Sequence, residues 1–419
     1  MKELYENRGQ SPISPSGSGD SGNRALTPIS ANDIYAALGV KRRINAAGTL
    51  TRLGGALMDD EVLAAMAAAA RASVDIGELQ SAASRAISKL TGAEAGIVTT
   101  GAAAALTLAA AAAMTRWDIA RMAALPHTEG FPNEILLPRT HYTQYAHALR
   151  ASGARLVDIC HNDRGTGAGV RGIEAWEIEA AITPKTAAFA FAAHPTNVGD
   201  LPVVASVCKA KNIPVIVDAA AQLPPKANLK RFFELGADLV AFSGGKAIGG
   251  PQASGILAGR RDLVGAALTQ QLDMDVPPAT WSPPELIDVK AMKGIPHHGL
   301  GRGFKAGKEE IVGLVVALER FAAADDEAIN AALQQRLERI ARELGDAHKR
   351  ILSARETGRV PQLHLTVKDP HEASRRLQAG EPPVHLSERY AAQGVLIVDP
   401  QALRPEDDAV LVAALRRVL

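Results

Sequence analysis

Between residues 135 and 258, short apolar runs alternate with helical stretches, and this alternation limits the fold more than any other feature of the sequence. Strand-like runs are expected at 135–138, 154–159, 187–192, 215–217, 239–242 and 255–258. Helical segments at 173–181, 202–211 and 229–235 separate most of them. Strands that alternate with helices predict an α/β fold, a mostly parallel sheet covered on both faces. In such sheets ligands sit at the carboxyl ends of the strands.

Two residues stand at such ends. The run from Ile213 to Val217 closes on Asp218, and the run from Ala237 to Phe242 leads into Ser243-Gly-Gly-Lys246-Ala-Ile-Gly-Gly-Pro-Gln252. Their separation suits one strand–helix–strand unit. An acid ending one strand and a lysine following the next suit pyridoxal 5'-phosphate. The lysine forms a Schiff base with the aldehyde, and the acid keeps the pyridine nitrogen protonated. Lys246 must be deprotonated to attack, and its apolar neighbours Phe242, Ala247 and Ile248 would lower its pKa by desolvation. The phosphate site is expected at Val98-Thr-Thr-Gly101-Ala102, which opens an alanine-rich helix over 102–114. The free N–H groups and positive end of that helix bind an anion. Thr99 or Thr100 adds a hydroxyl, and Ser243 is a second phosphate contact.

A chain of 419 residues implies two packed lobes. Aromatic residues are only 4%, so the cores must rest on Ala, Val, Leu and Ile. A net charge of +1 without a basic block argues against a nucleic-acid partner. Cys160 and Cys208 lack metal-type spacing and read as buried apolar side chains in a reducing cytoplasm. The N-terminus has no apolar core of a signal peptide, and 101–114 is too short for a membrane span. His297 and His298 are adjacent, hence loop residues, and no metal site is expected.

Residues 1–31 read as a disordered tail. A segment over 32–60 is expected to pack with a small domain, followed by a large cofactor domain over 61–305 and a small α+β domain over 306–419. Helices are expected at 59–73 and 78–90, the latter closed by Gly92. Residues 265–300 hold several prolines and read as irregular. Helices follow at 308–323 and 326–352, then strand 362–367, helix 371–378, strand 395–398 and helix 406–419.

With these residues in place, the chain resembles the SelA-like group of fold-type I pyridoxal-phosphate enzymes. That group spans L-seryl-tRNA(Sec) selenium transferase and D-glucosaminate-6-phosphate ammonia-lyase. The motifs are Ile44-Asn-Ala-Ala-Gly48, Leu90-Thr-Gly-Ala-Glu-Ala95, Val217-Asp-Ala-Ala-Ala221, the Lys246 segment and Gly301-Arg-Gly-Phe-Lys-Ala-Gly-Lys-Glu-Glu-Ile311. The resemblance implies an aminotransferase-like domain with a seven-stranded sheet and a smaller C-terminal domain. It implies Lys246 as the Schiff-base lysine, Asp218 at the ring nitrogen, and Gly101, Ala102 and Ser243 at the phosphate, beside the Thr100 hydroxyl. It places His141 over the ring face as a cofactor-binding and catalytic group. His194 and Asn197 fall near the ring oxygen or the substrate, and Arg302 and Asn45 become candidates for substrate binding. It also implies a homodimer or larger homo-oligomer with shared active sites, Gly250-Pro251-Gln252 serving the contact. The segment 53–62 is closer to the ammonia-lyase branch.

The expected function is therefore a lyase that eliminates a β-substituent and releases ammonia from a small amino acid or amino-sugar acid. Three alternatives share the scaffold: a racemase or epimerase, a selenium-transferase-like enzyme acting on tRNA, and a non-catalytic binding module.

Overall fold

The computed structural model describes residues 34–161, 172–345 and 347–419. Two compact units result, Met1–Arg42 and Arg43–Leu419. The described part of the first carries one helical turn, Ile34–Ala37; the expected tail over 1–31 lies outside the described residues.

Among its described residues the second unit contains twelve strands. They are β1 (Ile44–Ala46), β2 (Ala95–Thr99), β3 (Glu134–Pro138), β4 (Arg155–Ile159), β5 (Thr186–Ala192), β6 (Val215–Asp218), β7 (Leu239–Ser243), β8 (Gly255–Gly259), β9 (Lys349–Leu352), β10 (Gln362–Thr366), β11 (Val384–Leu386) and β12 (Val395–Val398). Seven form the main sheet, in the order β2-β8-β7-β6-β5-β3-β4. Strand β8 runs antiparallel to both neighbours, and the remaining pairs are parallel. Six carboxyl ends therefore share one edge of the sheet.

Except at the edge strand β4, the sheet is buried on both faces, as its nearly unbroken apolar strands require. One face carries the helix Ala102–Thr115, whose Leu108 and Ala109 to Ala112 have no exposed surface. Alanine lets this helix lie close to the sheet and to the helix Arg261–Gln271 behind it. The edge strand β2 is covered by the helix Ile76–Thr91. Buried Gln80 accepts from the Val98 N–H at 2.9 Å and donates to the Val98 carbonyl at 2.8 Å, and Ser84 Oγ accepts from the Gly96 N–H at 3.0 Å. Side chains thus take the hydrogen bonds that a further strand would have supplied.

A separate core joins β10, β12 and β1 to the helices Asp326–Glu343, Pro370–Ala379 and Asp408–Arg416 through Ile44, Leu337, Leu363, Leu377, Val398 and Leu411. Here β9, β10 and β12 form an antiparallel sheet, and β1 pairs in parallel with β11. The helix Lys308–Ala323 packs instead into the core of the main sheet through Ile311, Leu314 and Leu318.

Two sequence expectations need correction. The helix expected over 326–352 stops at Glu343, and Lys349–Leu352 is a strand; Gly345, at φ +62°, breaks the helix between them. Residues 265–300 are not wholly irregular, because the helix Arg261–Gln271 extends into them. Its face is so uniformly buried that no polar stripe marks the helical period.

Candidate active site

Five strand ends converge on one place. At the end of β2, Gly101 caps the helix Ala102–Thr115, with no side chain occupying the cap. Thr99 Oγ1 donates to the Gly101 carbonyl at 2.8 Å, and Thr100 Oγ1 turns to the Phe304 carbonyl at 3.4 Å. The space where a Gly101 side chain would stand is open. Gly255 of β8 makes this approach possible: a Cβ there would lie 2.4 Å from Gly101 C and 2.6 Å from Ala102 N. The helix N-terminus therefore opens beside Ser243, which pairs with Gly255 across β7 and β8.

Asp218 ends β6, and its Oδ1 accepts from the Ala220 N–H at 3.0 Å. Lys246 sits in the turn after β7. The two lie close enough for each charge to act on the other. Burial raises the Asp218 pKa, partly opposed by the Ala220 N–H and then by Lys246. Burial also lowers the Lys246 pKa; Asp218 opposes that shift and Arg359 adds to it. Both groups are thus driven toward their neutral forms.

His141 ends the turn Arg139–His141 after β3 and is buried. It meets Phe191 edge-on, with ring centroids 4.5 Å apart at 85°. Its protonation follows from Asn197. The Asn197 Oδ1 accepts from the His194 N–H at 2.8 Å, so its Nδ2 is the donor, to the Ala192 carbonyl and to His141 Nε2, both at 3.0 Å. His141 Nε2 must then accept, and the ring proton belongs on Nδ1, as assigned from this network. That Nδ1 is buried without a partner among the described residues. Burial pushes the His141 pKa down to about 4, so the ring is neutral at pH 7. His141 and Asp218 line one recess with Phe191, Ala192 and Tyr145. The neighbouring Tyr142 donates to Asp158 at 2.6 Å, and burial, followed by that contact, raises its pKa to about 12. His194 is exposed, with Nδ1 2.8 Å from Thr196 Oγ1.

Two residues expected to bind substrate have partners of their own. Arg302 pairs with Asp273 and lines a different cavity, of about 460 Å³, with Asp75, Gln271 and Trp281. Asn45 closes its own turn: Oδ1 accepts from the Ala47 N–H and Nδ2 donates to the Gly48 carbonyl, each at 3.0 Å. Gln252 donates to the Thr51 carbonyl of the same chain. Among the described residues, exposed Asp273, Asp275 and His298 could together hold a metal ion, but Asp273 is already engaged by Arg302.

The sequence reading missed Arg359. Its Nη2 donates to the Leu223 carbonyl at 2.8 Å, its Nε is buried and unpartnered among the described residues, and its charge acts on Lys246. The following residue, Val360, lines the Lys246 cavity of about 400 Å³ together with Thr49, Pro400 and Gln401. The local sequence Thr357-Gly-Arg-Val-Pro361 marks a break before β10, and nothing in it shows that the guanidinium turns back toward the main sheet.

The profile of the class-V aminotransferases matches residues 72–371. The chain belongs to that family. It is a fold-type I enzyme whose cofactor is pyridoxal phosphate. It is 32% identical to a D-glucosaminate-6-phosphate ammonia lyase of Salmonella typhimurium, over 92% of this chain and 98% of that one. It is 30% identical to a 5'-C-glycyluridine monooxygenase-decarboxylase of a Streptomyces species, covering 92% of each. A solved D-glucosaminate-6-phosphate ammonia-lyase superposes with a TM-score of 0.75 at 30% identity, over 93% of this chain and 98% of that one. A ureidoglycine–glyoxylate aminotransferase from Bacillus subtilis shares the fold alone, with a TM-score of 0.54 at 13% identity over 91% and 93% of the two chains.

The residues present fit the cofactor. An uncapped helix end suits its phosphate, a carboxylate with one oxygen engaged suits its ring nitrogen, and the desolvated lysine suits its aldehyde. The orphaned N–H of buried His141 marks a polar contact still to be made.

Proposed function

We propose that this enzyme is an ammonia lyase acting on an amino acid or amino-sugar acid that carries a leaving group β to its carboxylate. The observation that carries the reading is a desolvated Lys246 amine that feels the charges of two half-buried groups, the Asp218 carboxylate and the Arg359 guanidinium. The kinship with an ammonia lyase at 32% identity supports the reaction class.

The bound cofactor supplies an electron sink that lets the Cα–H bond break. The chain's residues do the rest. Asp218 would hold the proton of the cofactor's ring nitrogen, whose positive charge would offset the cost of desolvating the carboxylate. The N–H groups at Gly101 and Ala102, with the hydroxyls of Ser243 and Thr100, bind the phosphate. His141, neutral and held by Asn197, would face the cofactor ring. Arg359 takes the substrate carboxylate on its unpartnered Nε edge. Lys246, kept neutral by desolvation, takes the Cα proton as base. The β-substituent leaves with the bonding electron pair and takes up a proton, and water then hydrolyses the released enamine, through its imine tautomer, to a 2-oxo acid and ammonia.

A racemase needs a second acid–base group on the opposite ring face. His141 is held far below neutrality and Tyr142 far above it, so neither is tuned for that exchange. A homo-oligomer with shared sites and a cytoplasmic location belong to the same proposal. The test is to incubate the holoenzyme with D-glucosaminate 6-phosphate, D-glucosaminate and D- and L-serine, then measure ammonia and 2-oxo acid. Equal yields of both products support the reading; exchange of the Cα hydrogen with solvent, without ammonia, contradicts it.

A further inference from the structure

Beyond the reacting carbon, the side chain of a substrate must fit the cavity of about 400 Å³ that holds Lys246. The wall is apolar along Leu57, Ile248, Phe321 and Ile329, a surface that suits a carbon chain. Leu57 and Ile329 are exposed, so the cavity meets solvent at their end.

Three uncharged polar residues interrupt this wall. Thr49 comes from the turn after β1, Asn330 from the helix Asp326–Glu343 and Gln401 from the turn after β12. All three are half-buried, and their side chains make no hydrogen bond among the described residues. An apolar ligand would cover these groups without pairing them, at a cost for each one. Hydroxyls both donate and accept, so a hydroxylated chain can pair all three.

Charge at the solvent end points the same way. The Arg320 guanidinium is held by Asp59 at 2.9 Å and by Glu61. Asp326 accepts from the Lys226 N–H at 2.8 Å, while the Lys226 ammonium donates to the Ala324 carbonyl. Three carboxylates thus stand against two cations, and both cations are engaged. Arg359 adjoins the cavity through Val360 and is assigned above to the substrate carboxylate. A terminal phosphate would therefore meet net negative charge and, besides Lys246, no unengaged cation among the described residues of the wall.

We propose that the substrate's side chain is uncharged and hydroxylated. Its carbons lie on the apolar wall, its oxygens meet Thr49, Asn330 and Gln401, and the Asp59–Arg320–Glu61 cluster disfavours a terminal phosphate. This rests on the reading that Lys246 is the reacting lysine.

The test is binding to the holoenzyme, read from the change in the cofactor's visible absorbance and scored apart from ammonia release. The probes are D-glucosaminate, its 6-phosphate and D-2-aminohexanoate, which have equal carbon counts, at low ionic strength. D-Glucosaminate should bind about tenfold or more tighter than either of the others. Asn330→Leu should erase its preference over D-2-aminohexanoate, and Gln401→Leu serves if that variant does not fold. The double variant Asp59→Asn with Glu61→Gln alters exposed positions and frees Arg320, so the 6-phosphate should bind about tenfold tighter than to wild type. The inference is overturned if the 6-phosphate or D-2-aminohexanoate binds wild type as tightly as D-glucosaminate, if the variants leave both preferences where they were, or if none of the three alters the absorbance. Preferred binding of D-glucosaminate without ammonia release would uphold the inference and count against the lyase reading alone.

Discussion

His141 is 3% exposed, and burial carries its pKa from 6.5 to about 4. The unfolded chain therefore takes up a proton at higher pH than the folded one. The stability held by the neutral ring is complete above pH 6.5 and is lost as the pH falls toward 4. Each pKa unit corresponds to about 1.4 kcal/mol, so the full window is worth about 3 kcal/mol and the step from pH 7 to pH 5 about 2 kcal/mol. The perturbation is His141→Phe, which keeps a ring against Phe191 and removes the titration. Urea unfolding of both cofactor-saturated proteins at pH 7 and pH 5 gives the comparison. Other groups titrate alike in the two, so wild type should lose about 2 kcal/mol more than the variant on acidification. A variant that loses as much as wild type, or a His141 resonance titrating near 6.5, would refute the reasoning.

The edge of the main sheet and the ring-nitrogen partner give two further expectations. Gln80→Leu leaves the buried N–H and C=O of Val98 unpaired and should cost about 2–5 kcal/mol in urea unfolding, while a cost under about 0.5 kcal/mol would contradict the edge-capping role. Asp218→Asn should retain the cofactor yet lower ammonia release about 10- to 100-fold, the worth of a hydrogen bond to a charged group of about 1.5–3 kcal/mol; a rate within about twofold of wild type counts against Asp218 at the ring nitrogen.

Much of this architecture is legible in the sequence because its signals are local. Each strand of the main sheet is a short apolar run, and Asp218 and Lys246 stand one residue type apart from apolar or small neighbours. The alanine helix at 102–115 announces itself through propensity alone. What stays hidden depends on long-range return of the chain. Arg359 reaches Leu223, far upstream, and Asp399, just after β12, meets Gly48 through a single isolated bridge between Ala47 and Asp399. Arg302 pairs with Asp273, an upstream partner that its glycine-rich local setting does not announce. Short strands such as β9 and β11 carry too few residues for period two to stand out against helix.

The most direct measurement of the central claim is to reduce the holoenzyme with borohydride, which fixes the cofactor to the lysine that carries it, and to read the peptide masses. The phosphopyridoxyl group should appear on Lys246 and vanish in Lys246→Ala, whose visible absorbance should lose the lysine-bound band. A modified peptide at another lysine, or an unaltered spectrum in the variant, would contradict the account.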